Sequence, residues 1–286
     1  MKGASQRLSY GVPAPFPFEA PTSWLTRLAC AQGLSAMTEL LRFLGLPPGV
    51  DLDWHLRDAA VADLRWRCNL PPQSFAIASR VMAGAAVSGI SAARLLLAGK
   101  DGAAQFRFCP CCLAERKVAH LDIHWRFRCW RWCPPHNCML VTACQACSAP
   151  VEHPSLIETT PAGRVGLASL SRCTRCCSRF NSDQIQQLAA GGMQALGRAE
   201  KAWVSSGRTV LAALYHQRFH LREQWHPVQH LGSEYPRLVG PTQRIDRKLE
   251  AWRLTREFLA DLSDDVEEEV EPLRLDRWAV APRSGR

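Results

Sequence analysis

The sequence predicts a mainly α fold interrupted by compact thiol-rich modules, and three observations carry that reading. Apolar residues recur at helical spacing through the first hundred residues and again beyond residue 181. Every cysteine except Cys30 and Cys68 falls between residues 101 and 180. Gly33, Gly45 and the Pro47-Pro48 pair punctuate the first helical stretches. The expected organisation is a helical domain over 1–100, thiol-rich modules over 101–180 and a second helical domain over 181–286.

The elements follow in order. Residues 1 to about 20 form an irregular arm, because Pro13, Pro15 and Pro17 prevent a helix. In TSWLTRLACAQ, Trp24, Leu25, Leu28 and Ala29 share one helical face, with Thr22 as candidate N-cap. Gly33 ends this helix. Ser35 is placed to cap the next, AMTELLRFLGL, whose apolar stripe is Met37, Leu40, Leu41 and Leu44. Two short helices around a glycine are compatible with a helix-turn-helix. DWHLRDAAVADLRWR, SFAIASRVM and SAARLLLAG read as further helix. So do DQIQQLAAGG, the long stretch EKAWVSSGRTVLAALYHQRFHLREQW, and RIDRKLEAWRLTREFLADL. The acidic run DDVEEEVE reads as a solvated segment.

With 286 residues and 47% hydrophobic side chains, the chain can bury a substantial core. A formal net charge of +9 favours an anionic partner, of which nucleic acid is the commonest. The first residues, MKGASQRLSYGVPAPFPF, lack the apolar core of a signal peptide. The most apolar stretch, AIASRVMAGAAVSGISAARLLLAG, is interrupted by Arg80 and Arg94, which disfavours a membrane span. A cytoplasmic protein is expected. In a reducing compartment its cysteines point to metal or reactivity rather than disulfides.

Spacing decides between these. Cys109 and Cys112 form C-x2-C, Cys133 and His136 form C-x2-H, and Cys144–Cys147 and Cys173–Cys176 form two more C-x2-C pairs. Two intervening residues make a tight turn that lets both side chains reach one ion. Taken in order, the pairs give two tetrahedral sites, Cys109/Cys112/Cys133/His136 and Cys144/Cys147/Cys173/Cys176. Interleaved pairing closes longer loops and costs more chain entropy. Two structural zinc ions per chain are therefore expected, in tandem zinc fingers or ribbons, and the fold class becomes mainly α with small zinc-stabilised modules. Both donor sets are full, whereas a catalytic zinc keeps a position open for water. The zinc deaminase signature is absent, as are HExxH, GxSxG, a phosphate-binding loop and GxGxxG. Cys111, Cys129, Cys138 and Cys177 receive no role from spacing.

The opening PAPFPFEAPTSWLTRLACAQGLS resembles the start of the TniQ family, the target-selection proteins of transposons. Glu19, Ser23, Trp24, Leu25, Arg27, Leu28, Ala29, Gly33, Leu34 and Ser35 fit that pattern, and Pro21 stands where leucine is usual. The thiol-rich region is also similar, through Cys109, Pro110, Cys112, Leu113, Trp125, Arg126, Cys133, Pro134, His136, Leu140, Cys144 and Cys147. Asn137 and Cys177 occupy positions where the family has glycine. The resemblance covers residues 13 to about 180. It implies a non-enzymatic, nucleoid-associated adaptor. Such a protein recognises DNA directly, or through a recombinase site or a guide-RNA complex. It then recruits an AAA+ regulator that brings the transposase. Some members are homodimers.

Four arginines are the candidates for nucleic acid. Arg42 lies on the second helix of the paired helices. Arg126, Arg128 and Arg131 alternate with Trp125, Phe127, Trp130 and Trp132, a mixture able to bind phosphate and stack on bases. The opposing reading makes these aromatics the core of a small module and leaves the arginines merely exposed. A stand-alone zinc-dependent DNA- or RNA-binding regulator is the alternative to the adaptor, and a zinc hydrolase or deaminase comes third.

Overall fold

The structure is a computed structural model and describes residues 7–8, 10–99, 102–133, 135–136, 138–152, 159–160, 164–165, 170–180, 198–221 and 224–239. Among the described residues helix dominates, and the sheet content is four separate two-stranded antiparallel ladders. The described residues fall into two compact units. One draws on Met1–Ser79, Leu97–Arg126 and Val141–Ser182, the other on Arg80–Leu96, Phe127–Leu140 and Asp183–Arg286.

In the first unit, α1 (Pro21–Ala31) buries Trp24, Leu25, Leu28 and Ala29 completely. These four form the face that the periodicity predicts. The start of the helix differs from the expectation. Pro21 occupies the first turn, where its missing N–H costs nothing, and Ala20 is the cap. Thr22 is instead tied to the chain 31 residues on, donating from its backbone N–H (2.7 Å) and its hydroxyl (2.6 Å) to Asp53. The tertiary acceptor outcompetes a local cap.

Helix α2 (Met37–Leu44) buries Met37, Leu40, Leu41 and Leu44, as the stripe requires. Ser35 does not cap it; its hydroxyl donates to Glu39, and Ala36 is the cap residue. Gly45 closes the helix in the left-handed conformation at φ 65°, which glycine adopts without strain. The stretch DWHLRDAAVADLRWR is two helices, α3 (Leu52–His55) and α4 (Asp58–Arg67). Leu56 leaves helical geometry at the break and is fully buried. Asp51 caps α3 by accepting the Trp54 N–H at 3.2 Å.

A buried ion network fastens these helices to the residue 126 region. Arg126 is 0% exposed and donates to Asp53 at 2.9 Å, and it also pairs with Asp51. Asp53 thus joins α1, α3 and the short 3-10 turn Ile123–Arg126. The rest of this unit includes β1 (Gln105–Phe106), α7 (Pro110–Glu115) and β4 (Val151–Glu152), with Phe106 opposite Val151. β5 (Thr159–Thr160) pairs with β6 (Arg164–Val165).

Helix α5 spans Ala76–Val87. In the second unit follow α6 (Ala92–Leu95), the hairpin β2 (Trp132–Cys133) and β3 (Cys138–Met139), α8 (Arg198–His216), the hairpin β7 (Arg218–Leu221) and β8 (Gln224–Pro227), and α9 (Leu231–Val239). SAARLLLAG is helical only to Leu95, because Leu96 pairs as an extended residue with Phe127. EKAWVSSGRTVLAALYHQRFHLREQW is not one helix: Gln217 turns at φ 57° and the chain becomes a hairpin, with buried Phe219 opposite His226. The alternation of Phe219 with polar neighbours is a strand pattern hidden behind the long periodic run. Two glycines allow backbones to touch. A Cβ on Gly84 of α5 would lie 2.0 Å from the Leu214 carbonyl, and one on Gly207 of α8 would lie 2.2 Å from the Cys129 carbonyl. DQIQQLAAGG, RIDRKLEAWRLTREFLADL and DDVEEEVE lie outside the described residues. Among the described residues, no helix is long and apolar enough to cross a membrane.

Candidate metal centres

The donor atoms of Cys109, Cys112, Cys133 and His136 all lie within 4.8 Å of one another, and so do those of Cys144, Cys147, Cys173 and Cys176. These are the two quartets that sequential pairing of the spacings assembles, and each could hold a zinc ion.

The second quartet is built from one turn used twice. The Ser148 N–H donates to the Cys144 carbonyl at 2.7 Å, and the Cys177 N–H to the Cys173 carbonyl at 2.9 Å. The Cys144 N–H meets the Ala149 carbonyl at 2.7 Å, and the Cys173 N–H meets the Ser178 carbonyl at 2.9 Å. Ala143 bridges Pro150 in the first turn, and Arg172 bridges Arg179 in the second. Each turn presents two sulfurs on one side, and the two sets interdigitate: Cys144 faces Cys176 and Cys147 faces Cys173, both pairs at 3.6 Å between sulfurs. A tetrahedral ion with sulfurs about 2.3 Å away holds them about 3.8 Å apart, so these separations are close to tetrahedral edges. The residue after each second cysteine sits in the left-handed region, Ser148 at φ 56° and Cys177 at φ 61°. That conformation explains why glycine suits the position, and it assigns Cys177 a place in the turn.

The first quartet uses two different devices. Cys109 precedes α7, and its sulfur accepts the Cys112 N–H at 3.5 Å, so the first helical turn fixes both thiols. Cys133 ends β2, and its sulfur lies 3.4 Å from His136 Nδ1 across the hairpin turn. The tetrahedral edge between sulfur and imidazole nitrogen is about 3.5 Å, so Nδ1 is the ligating atom this geometry favours. Cys109, Cys112 and Cys133 are buried.

The donor chemistry fits a thiophilic ion. Burial pushes the Cys173 thiol up to about 12, whereas hydrogen bonding from Ser178 brings the Cys176 thiol down to about 6. An ion entering the quartet displaces the remaining thiol protons. Three sulfurs with one imidazole, and four sulfurs, are closed donor sets of the structural kind.

The arginines separate into three situations. Arg42 is exposed on α2. Arg126 belongs to the interior, locked between Asp51 and Asp53, and offers no face to a phosphate. Arg128 is exposed and Arg131 half-buried. Trp125, Phe127, Trp130 and Trp132 are all buried, so these aromatics are core side chains and not stacking platforms. Alternation in the sequence could not separate Arg126 from Arg128, because its partners lie more than seventy residues upstream.

Residues 11–140 match the family model described as TniQ. A comparison with curated proteins found no match. The TniQ match takes in the first quartet and ends before Cys144.

The geometry gives the residues of the TniQ opening physical work. Glu19 is fully buried and accepts from Arg27 at 2.5 Å and from the Ser23 hydroxyl at 3.0 Å. The Trp24 indole N–H reaches the Pro13 carbonyl at 2.7 Å, and Arg27 stacks over Phe16. The motif is a clasp that straps the proline arm onto α1. Burial raises the Glu19 carboxyl to about 7 despite Arg27. Nearby, Asp122 accepts from Arg116 at 2.5 Å and faces His120 and His124 at 3.6 and 3.7 Å. Burial lowers both imidazoles to about 4. Nothing in a single sequence marks this cluster, which becomes visible only when the Leu121 N–H is seen bonded to Ser23 Oγ at 2.9 Å.

Proposed function

We propose that the chain is a non-enzymatic target-selection adaptor of transposition. It engages DNA or a target-recognition complex and recruits an AAA+ regulator. The observation that carries this reading is the TniQ match over residues 11–140. The two quartets support it as zinc-held structural modules, because four protein donors leave no position for a reacting water. Zinc in this role contributes folding free energy to small modules whose cores are too limited to stand alone. Arg42 and Arg128 are the exposed members of the candidate nucleic-acid set. The net charge of +9 also favours a second reading, a stand-alone nucleic-acid-binding regulator that needs no ATPase.

One preparation tests both. The full chain is purified without added metal, its zinc is counted, and it is probed for retention of any AAA+ regulator found in the same genomic neighbourhood. Two zinc ions per chain with a stable regulator complex are expected. Two zinc ions with tight DNA binding and no complex would transfer the assignment to the second reading.

A further inference from the structure

We infer that Arg94, Arg128 and Arg131 form a seat for a backbone phosphate of a nucleic-acid strand, walled by Tyr235. This deepens the proposed function and rests on its nucleic-acid contact. The three arginines line one pocket of about 350 Å³ in the second unit, together with Cys129, Tyr235 and Pro236. Helix α6 supplies Arg94, the segment 128–131 supplies Arg128 and Arg131, and α9 supplies the Tyr235 wall. None of the pocket's lining residues is an acid.

The arginines are held rather than loose. Arg128 Nε donates to the Ala93 carbonyl at 3.0 Å, and Arg131 Nε donates to the Arg128 carbonyl at 3.1 Å. Arg94 lies over the Tyr235 ring at 5.7 Å, and the Tyr235 hydroxyl donates to the Arg94 carbonyl at 3.0 Å. These bonds orient the guanidinium groups before any ligand arrives, which lowers the ordering cost of binding. Arg94 and Arg128 remain exposed.

Geometry selects the ligand class. A carboxylate is planar and offers two oxygens. A phosphate is tetrahedral and can accept from guanidinium groups approaching from three directions. The volume is at the small end of ligand sites, enough for a phosphate with its sugar. Tyr235 is buried and cannot stack on a base, so the seat reads no sequence.

The test uses the zinc-loaded full chain and a fluorescent random-sequence DNA duplex, with affinity measured by anisotropy across salt. The triple variant R94Q/R128Q/R131Q is expected to lower the salt slope by about one and the affinity about tenfold at 0.1 M salt, equally on unrelated duplexes, with each single variant losing part of that. Unchanged affinity and slope in the triple variant would overturn the inference. Should the triple Gln variant misfold, the triple Lys variant decides. It keeps the charge but loses the fork, so it should retain the slope and bind more weakly; wild-type affinity there would refute the seat. Millimolar inorganic phosphate should leave wild-type DNA binding unchanged if the strand is the ligand, and strong competition would assign the seat to the free ion and overturn the strand proposal. Regulator retention is read on the same variants. Loss of the regulator with intact DNA binding would give the pocket to an acidic protein partner and sink the phosphate seat while leaving the adaptor reading intact. A wild-type chain that binds neither DNA nor regulator would remove both.

Discussion

Replacing Arg126 with methionine should destabilise the first unit severely while leaving its stem volume filled. The guanidinium is 0% exposed, as is Asp53, and Asp51 is 19% exposed. Removing the cation strands the Asp53 carboxylate in the interior with only the two Thr22 donors. Breaking one side of such a pair costs about 3–5 kcal/mol. The Phe106 ring 5.1 Å from the guanidinium adds up to about 1 kcal/mol. Domains are stable by about 5–15 kcal/mol, so this is a large fraction. With a urea m-value of about 2 kcal/mol per molar, the midpoint should fall by about 2 M. The assay is urea unfolding of the zinc-loaded chain followed by tryptophan fluorescence, with R126M, D53N and the double variant. The double variant should be more stable than the two single losses added together, because the fully buried Asp53 charge is gone and only the partly exposed Asp51 is left without its partner. A loss below about 1 kcal/mol in R126M, or simple additivity, would refute the buried network and return Arg126 to the nucleic-acid candidates.

Four further outcomes are expected. C112S and C173S should each lose one zinc equivalent, with different centres affected; loss of both ions from either variant would break the pairing of the quartets. C177G should keep its metal count and gain about 0.5–1 kcal/mol, since glycine relieves the φ of 61°; a lower melting temperature would show that the sulfur itself matters. G84A should cost about 1–3 kcal/mol, because its Cβ would lie 2.0 Å from the Leu214 carbonyl; a neutral melt would contradict the close approach. His120 and His124, lowered to about 4, stay neutral in the folded protein while the unfolded chain protonates, so their contribution to stability falls as pH drops from 6.5 to 4. Glu19, raised to about 7, opposes them over pH 4.5 to 7. Among these three groups, two protons against one give about 1.4 kcal/mol per pH unit between pH 4.5 and 6.5, and E19Q should steepen the measured slope by about the same amount in pH-dependent urea unfolding. An unchanged slope in E19Q would show that Glu19 titrates normally.

Local chemistry was written in the sequence. The helical stripe of Met37, Leu40, Leu41 and Leu44, the stop at Gly45 and the four C-x2-C or C-x2-H turns all depend on side chains within a few residues of each other, and their spacing identifies them. The same holds for the TniQ opening, whose Glu19, Ser23 and Arg27 are one helical turn or two apart. Tertiary structure decided whatever required a distant partner. Thr22 became a tether because Asp53 offered an acceptor, and Arg126 became a core cation because Asp51 and Asp53 lay against it. The residues after His216 became a hairpin because Gln217 turns and Phe219 is buried. Arg94 met Arg128, Arg131 and Tyr235 only through packing across 141 positions of chain. A free side chain and a buried one have the same letter. Only the fold determines which of them keeps its charge in water.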